Sequence, residues 1–294
     1  MGHVYALDFD GVLCDSCGES SLAAVKAAKV RWPSVLAGIS PSVEQWIVDR
    51  MRDVRPVVET GYENVLLVRL LLEMKRWQLT GGGSSSVDAG MDGAADVQRV
   101  SSVVESGQLK DINGILSGWQ SIKPVIMKEW GEEGKREELV DLFGSIRDNW
   151  MQTDLAGWLG TNRIYPGVAD ALRFAASPIY IVTTKQTRFA LALLKDLAGV
   201  DFPEDRIFGL GTGPKVRVLE QLQSRAEHNG CELHFVEDRV LTLENVIQVP
   251  TLSKWHLYLG TWGYNTAEER ARAMSCGSGR IQLVDLPTFC AKLK

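Results

Sequence analysis

The chain has 294 residues, of which 45% are hydrophobic and 23% charged, and its net charge is −5. That composition excludes wholesale disorder and suits one sizeable domain or two modest ones. The mild acidity excludes the basic footprint of a nucleic-acid binder.

The longest apolar runs, such as Val65–Leu72, are too short and too close to charge to cross a bilayer. No signal or transit pattern precedes the strand that starts near Val4. A soluble, cytoplasmic protein is expected, although a plastid protein whose transit peptide had been removed would look the same. Oligomeric state is not legible.

Val4-Tyr-Ala-Leu7 reads as a buried strand that stops at Asp8-Phe-Asp10-Gly11. From about Ser20 to Leu159 the pattern is helical. Val43–Arg52, Glu63–Trp77, Ile115–Trp130, Lys135–Trp150 and Gln152–Leu159 have the apolar spacing of packed helices. Thr80–Gly93, part of a small, polar stretch running to about 97, has too little apolar surface to order itself and reads as a loop.

After Tyr165-Pro-Gly167 the texture changes. Helices at Val168–Ala175, Arg188–Leu197, about 216–227 and Leu241–Val246 alternate with strands at Ile179–Val182, Arg206–Gly209, Glu232–Val236 and Trp255–Leu259. Alternation of this kind implies crossover units and a parallel sheet. The first strand has nowhere else to pair. The expected fold is a doubly wound parallel α/β sheet from residues 1–19 and 160–294, interrupted after its first strand by a helical insertion at 20–159.

Ligands of such sheets sit at the carboxyl ends of the strands. There the sequence places Asp8 and Asp10, then Thr183-Thr-Lys185, then Gly211-Thr-Gly-Pro-Lys215, then Glu237-Asp-Arg239. Acids, a hydroxyl and a lysine converge on one edge. Core strands do not need them, and buried like charges are costly without a cation.

These residues carry a resemblance. LDFDGVLCDS, IVTTK, Lys215 at a helix start and FVEDR resemble, in order, the four motifs of the haloacid dehalogenase-like hydrolases. Tyr165-Pro-Gly-Val168 and Trp262-Gly-Tyr-Asn265 are similar to segments of the phosphoglycolate-phosphatase-like members. The resemblance covers the sheet-forming parts and not the insertion, which corresponds to the helical C1 cap.

It implies a magnesium-dependent phosphatase acting on a small phosphorylated metabolite, such as phosphoglycolate or a sugar phosphate. Asp8 would attack phosphorus to form an aspartyl-phosphate. Asp10 would protonate the leaving group and then activate water. Thr183 and Lys215 would stabilise the transferring phosphoryl group. Asp8, the backbone carbonyl of Asp10 and Asp238 would hold Mg²⁺, with Glu237 as a further or outer ligand. Many members carry another acid four residues after this aspartate. Here that position is Thr242, which leaves water or Glu237 to complete the coordination.

Other readings stand beside these. Thr184 and Lys185 are substrate-contact candidates, and Lys185 reads equally as an ordinary helix-start lysine. Arg55, in a charge cluster with Arg50, Arg52 and Glu59, is a substrate contact or part of a solvated face. Asp15 and Ser16 read as structural caps. The nine tryptophans read as core packing. Cys14-Asp-Ser-Cys17 matches a redox spacing but is better explained as part of the first-motif loop, and the five scattered cysteines read as thiols. Two functional alternatives remain open: a phosphomutase resembling β-phosphoglucomutase, and a non-catalytic binding protein on the same scaffold.

Overall fold

The computed structural model describes residues 2–80, 100–107 and 109–293. Apart from Thr80, the stretch read as a loop at about 80–97 lies outside the described residues. The chain divides into two compact units, Met1–Ser16 with Leu159–Lys294, and Cys17–Trp158.

The first unit is built on a parallel sheet of six strands among the described residues. They are β1 (His3–Leu7), β4 (Ile179–Val182), β5 (Ile207–Phe208), β6 (Glu232–Glu237), β7 (Trp255–Gly260) and β8 (Ile281–Val284), in the order β5-β4-β1-β6-β7-β8. A further pair, β2 (Cys14–Asp15) and β3 (Arg163–Ile164), is antiparallel and stands apart from the sheet. β1 is central, flanked by β4 and β6, so its apolar residues are buried on both faces, as parallel strands require.

Side chains alternate across the sheet. On one face Val4, Ala6, Tyr180, Val182, Leu233, Phe235, Leu257 and Leu259 join a core completed by the helices Lys215–Gln223 and Val240–Ile247. Register then aligns the strand ends. Leu7 is level with both Ile181 and Val236, so the residues after β1, β4 and β6 emerge side by side. A one-residue slip would exchange the side chains on the two buried faces and disrupt the packing of both, which pins this alignment.

The alternating pattern in the second half of the chain is as expected, with an addition. β8 and the helices Ala267–Ser275 and Leu286–Leu293 extend the sheet beyond the last strand read from sequence. β8 is short (Ile-Gln-Leu-Val), so its period-2 signal is weak.

The second unit is helical. Its larger helices are Cys17–Arg31, Pro41–Val54, Glu63–Leu79, Ile112–Glu129 and Arg136–Thr153. Ser40 caps the second through its Oγ, which accepts from Val43 N at 3.3 Å, and Pro41 fits the first turn. In the third, residues 63–68 and 70–74 are all buried, in keeping with that helix's apolar density. Glu19 and Arg147, both almost fully buried, form a bidentate ion pair between the first and last of these helices. The expected helix Gln152–Leu159 is broken. Asp154 leaves the helical region, and its Oδ1 accepts from Gly157 N at 2.9 Å, so it starts a new helix at Leu155–Gly160. No helix among the described residues is long and apolar enough to cross a membrane.

Candidate active site

β1 stops at Leu7, but Asp8 N still donates to Val236 O at 2.9 Å, which holds Asp8 at the strand end. The chain then turns tightly. Leu13 N and Cys14 N both donate to Phe9 O, and Gly11 takes φ +82°. The register of β1 against β6 brings Asp8, Glu237 and Asp238 together, with one oxygen of each within 4.8 Å of the others. All three are buried.

Lys215, first residue of its helix, reaches into the cluster. Its Nζ is 2.9 Å from Asp8 Oδ1 and 2.7 Å from Glu237 Oε2. Burial, then the Glu237 charge, push the Asp8 carboxyl up to about 7, against the opposing pull of Lys215. Burial acts the same way on Glu237, but Lys215, together with a hydrogen bond to the Asp238 side chain and the Arg239 charge, outweighs it and holds that carboxyl below its ordinary value. Burial disfavours the charged form of Lys215, yet Asp8 and Glu237 reverse this and raise its affinity for the proton. Three carboxyl groups are thus gathered where Lys215 brings a single ammonium. The donor set is all oxygen and carries excess negative charge, which fits a hard divalent cation such as Mg²⁺.

Asp238 is fixed by groups from the end of β7. Tyr264 N donates to its Oδ2 at 2.7 Å, and Asn265 Nδ2 donates to its backbone oxygen at 2.9 Å. Two glycines make room. A Cβ on Gly11 would stand 2.0 Å from Asp238 Oδ2, and one on Gly263 would stand 2.3 Å from Asp238 Cβ. Thr242, in the helix Val240–Ile247, brings no carboxylate.

Asp10 has its own partners. Lys185 Nζ is 2.9 Å and Ser16 Oγ 2.5 Å from Asp10 Oδ1. Lys185 is thus neither a surface lysine nor at a helix start. It is buried and ion-paired, and the helix begins at Thr187. Thr183 follows β4 and is buried. Its Oγ1 accepts from Lys185 N at 3.1 Å, so the hydroxyl proton can be donated elsewhere. Thr184 is half-buried beside it. Arg55 belongs to the second unit, where it is buried and its guanidinium donates to Val58 O at 3.3 Å. It is therefore not part of a solvated face.

The sequence reading assigned no chemistry to Asp15, Ser16 or Tyr264. Ser16 holds Asp10. Tyr264 Oη donates to Asp15 Oδ1 at 2.8 Å and accepts from Ser16 N at 2.9 Å. The signals were the two polar residues ending the first motif and the Trp262-Gly-Tyr-Asn265 segment. Their mutual contact was not visible. Cys14 and Cys17 are buried thiols not joined in a disulfide, and burial pushes the Cys14 thiol up, opposite to what redox chemistry needs.

No protein-family model matches this sequence, and no curated protein matches it. Solved structures do match in three dimensions. A haloacid dehalogenase-like hydrolase from Bacteroides fragilis aligns over 97% of both chains with a TM-score of 0.50 and 14% identity. The chain has the haloacid dehalogenase fold. A predicted phosphatase from Clostridium acetobutylicum is similar to the same degree, at TM-score 0.50 and 14% identity over 99% of this chain and 98% of the other. In this haloacid dehalogenase core, the Asp8 cluster occupies the carboxyl ends of β1 and β6, where an open parallel sheet presents its ligand site.

Proposed function

We propose that this protein is a magnesium-dependent phosphatase that hydrolyses a small phosphorylated metabolite through an aspartyl-phosphate on Asp8. The observation that carries the reading is Lys215 bridging Asp8 and Glu237 at 2.9 and 2.7 Å, beside Asp238. A carboxylate at a strand end, oriented by an ammonium and surrounded by further acids, suits nucleophilic attack on a phosphoryl group. The fold shared with hydrolases supports the same reading.

The chain's own groups divide the work. Asp8 forms a bond from a carboxylate oxygen to phosphorus as the bond from phosphorus to the leaving oxygen breaks. Asp10 gives the leaving oxygen its proton. Asp10 then takes a proton from water as that water attacks phosphorus, and the Asp8–phosphorus bond breaks to release phosphate. Lys185 and Ser16 fix the direction of the Asp10 carboxylate. Lys215 and the Thr183 hydroxyl stabilise charge on the phosphoryl oxygens. Mg²⁺, held by Asp8, Asp238 and the Asp10 carbonyl with Glu237 behind, would offset the repulsion between a carboxylate and a phosphate. Thr184 flanks the phosphoryl site as a substrate contact.

The test is hydrolysis of p-nitrophenyl phosphate and of a panel of phosphorylated metabolites by the purified protein. It is run with Mg²⁺ and with EDTA, for wild type and Asp8→Asn. Metal-dependent turnover that vanishes in Asp8→Asn is expected. Turnover that survives the substitution overturns the mechanism, and isomerised sugar phosphate in place of free phosphate points to a mutase.

A further inference from the structure

The chain contains four histidines, and three of them meet at one place. His3 opens β1, His234 is the third residue of β6 and His256 the second of β7. Parallel register sets His3 level with Glu232, Tyr5 with His234, and His234 with His256. Residues two apart on a strand share a face. His3, Glu232 and His234 therefore project from the same face of the sheet. Asp8 lies five residues on from His3, just past the end of β1 and about 16 Å away at the rise of a strand. The two clusters stand at opposite ends of the same strands.

We propose that His3, Glu232 and His234 form a second divalent-metal site, suited to zinc and similar late first-row cations. The ligand atoms are already nearly in place. His3 Nδ1 is 3.0 Å from His234 Nε2 and 3.5 Å from Glu232 Oε2, and His234 Nε2 is 3.9 Å from the same oxygen. Ligands at about 2.0–2.1 Å from a tetrahedral zinc stand roughly 3.3 Å from one another. The observed triangle brackets that value, so a shift of a few tenths of an ångström in Glu232 closes it. That side chain is 41% exposed and can move.

The donor set separates this site from the first one. Two imidazoles and a carboxylate suit zinc, cobalt, nickel or copper, whereas three carboxylates suit magnesium. His234 Nδ1 is 3.3 Å from Tyr258 Oη. An Nδ1–H donated there leaves the Nε2 lone pair facing His3 and Glu232, which is how an outer hydrogen bond sets up a ligating histidine. The Tyr5 and His256 rings stack on His234 at 4.6 and 5.1 Å and keep it from turning. The His3 side chain is 43% exposed, so a cation can enter and a water can complete its shell. A bound ion would tie the start of β1 to the start of β6, the two strands whose far ends carry Asp8 and Glu237.

The test is calorimetric titration of the full chain with Zn²⁺ in saturating Mg²⁺, which occupies the carboxylate site. The comparison set is His3→Gln, Glu232→Gln, Tyr258→Phe and Asp238→Asn. One equivalent of Zn²⁺ is expected in wild type and in Asp238→Asn. His3→Gln and Glu232→Gln are expected to lose that equivalent. Tyr258→Phe is expected to bind roughly ten times more weakly, as removal of an outer partner does. Co²⁺ in place of Zn²⁺ should give the visible bands of imidazole-ligated cobalt in wild type, absent in His3→Gln. His3 and Glu232 are well exposed, and circular dichroism should show both variants folded. Unchanged Zn²⁺ uptake in His3→Gln and Glu232→Gln overturns the proposal. So does uptake abolished by Mg²⁺ or by Asp238→Asn.

Discussion

Gly11 and Asp238 meet so closely that a methyl group on Gly11 would lie 2.0 Å from Asp238 Oδ2. Gly11 also holds φ +82°, a conformation that side-chain-bearing residues adopt at a cost of about 1 kcal/mol or more. Gly11→Ala should therefore lower the thermal midpoint and displace the Asp238 carboxylate. Mg²⁺ affinity, read by titration, should fall about tenfold or more. Unchanged metal affinity would mean that Asp238 is not held through this contact.

Lys215 supplies the ammonium that Asp8 and Glu237 share. Lys215→Met leaves both acids buried without it and should destabilise the metal-free protein by about 3–5 kcal/mol. Adding Glu237→Gln should restore part of that loss, because one of the stranded charges is gone. Denaturant unfolding in EDTA measures both. A double variant no more stable than the single one would show that charge is not the cause.

Asp8 works in the other direction. Its carboxyl is pushed up to about 7 from an ordinary 3.8. A raised carboxylate leaves full stability below the unfolded value and loses it as pH rises through the folded one. The metal-free protein should thus weaken between about pH 4 and 7, by on the order of 4 kcal/mol. Asp8→Asn should abolish turnover and yet stabilise the protein at pH 8 in EDTA. Equal stability of the two proteins across this window would contradict the burial argument.

Asp10 and Lys185 are paired at 2.9 Å. Asp10→Asn should lower kcat by about 10²–10⁴-fold. Lys185→Met should lower it less, with KM little changed, because it acts by positioning Asp10. If so, the double variant is no slower than Asp10→Asn alone, since residues acting as a unit are not additive. Additive losses in steady-state kinetics would give Lys185 a separate role.

Burial, then His256 and His3, lower His234 to about 4 from 6.5. Glu232 opposes this and Lys292 adds to it. A histidine held neutral supports the fold above its unfolded value and withdraws that support as pH falls towards the folded one. Without metal, stability should drop between about pH 6.5 and 4, by about 3 kcal/mol. The drop should flatten in His234→Asn. Unfolding midpoints compared across that range decide it, and parallel curves would count against the assignment.

The strands from β1 to β7 that form the centre of the sheet, and the residue types at their ends, were legible from the chain, whereas β8 and the short pair β2 and β3 were not. Apolar runs ending in acids or in a threonine pair, and a lysine that follows a Gly-Thr-Gly-Pro turn, are local patterns, and Asp8, Asp238 and Lys215 belong to such patterns. Ser16 and Tyr264 were not legible as site residues. Tyr264 meets Ser16 and Asp15 across 248 and 249 positions, which no local pattern encodes, and Ser16 reaches Asp10 only through the tight turn between them. Lys185 was ambiguous for the same reason, because only the fold shows which acid it faces.

By itself the sequence determined where the chain is apolar, where it turns and which residue types follow each strand, because these depend on neighbours along the chain. The tertiary structure alone decided which of those residues share a charge. Parallel register sets Leu7 level with Val236 and Ile181. That alignment arises from burial of whole sheet faces, a property of the assembled core. It places Asp8 beside Glu237 at one end of the strands and His3 beside His234 at the other.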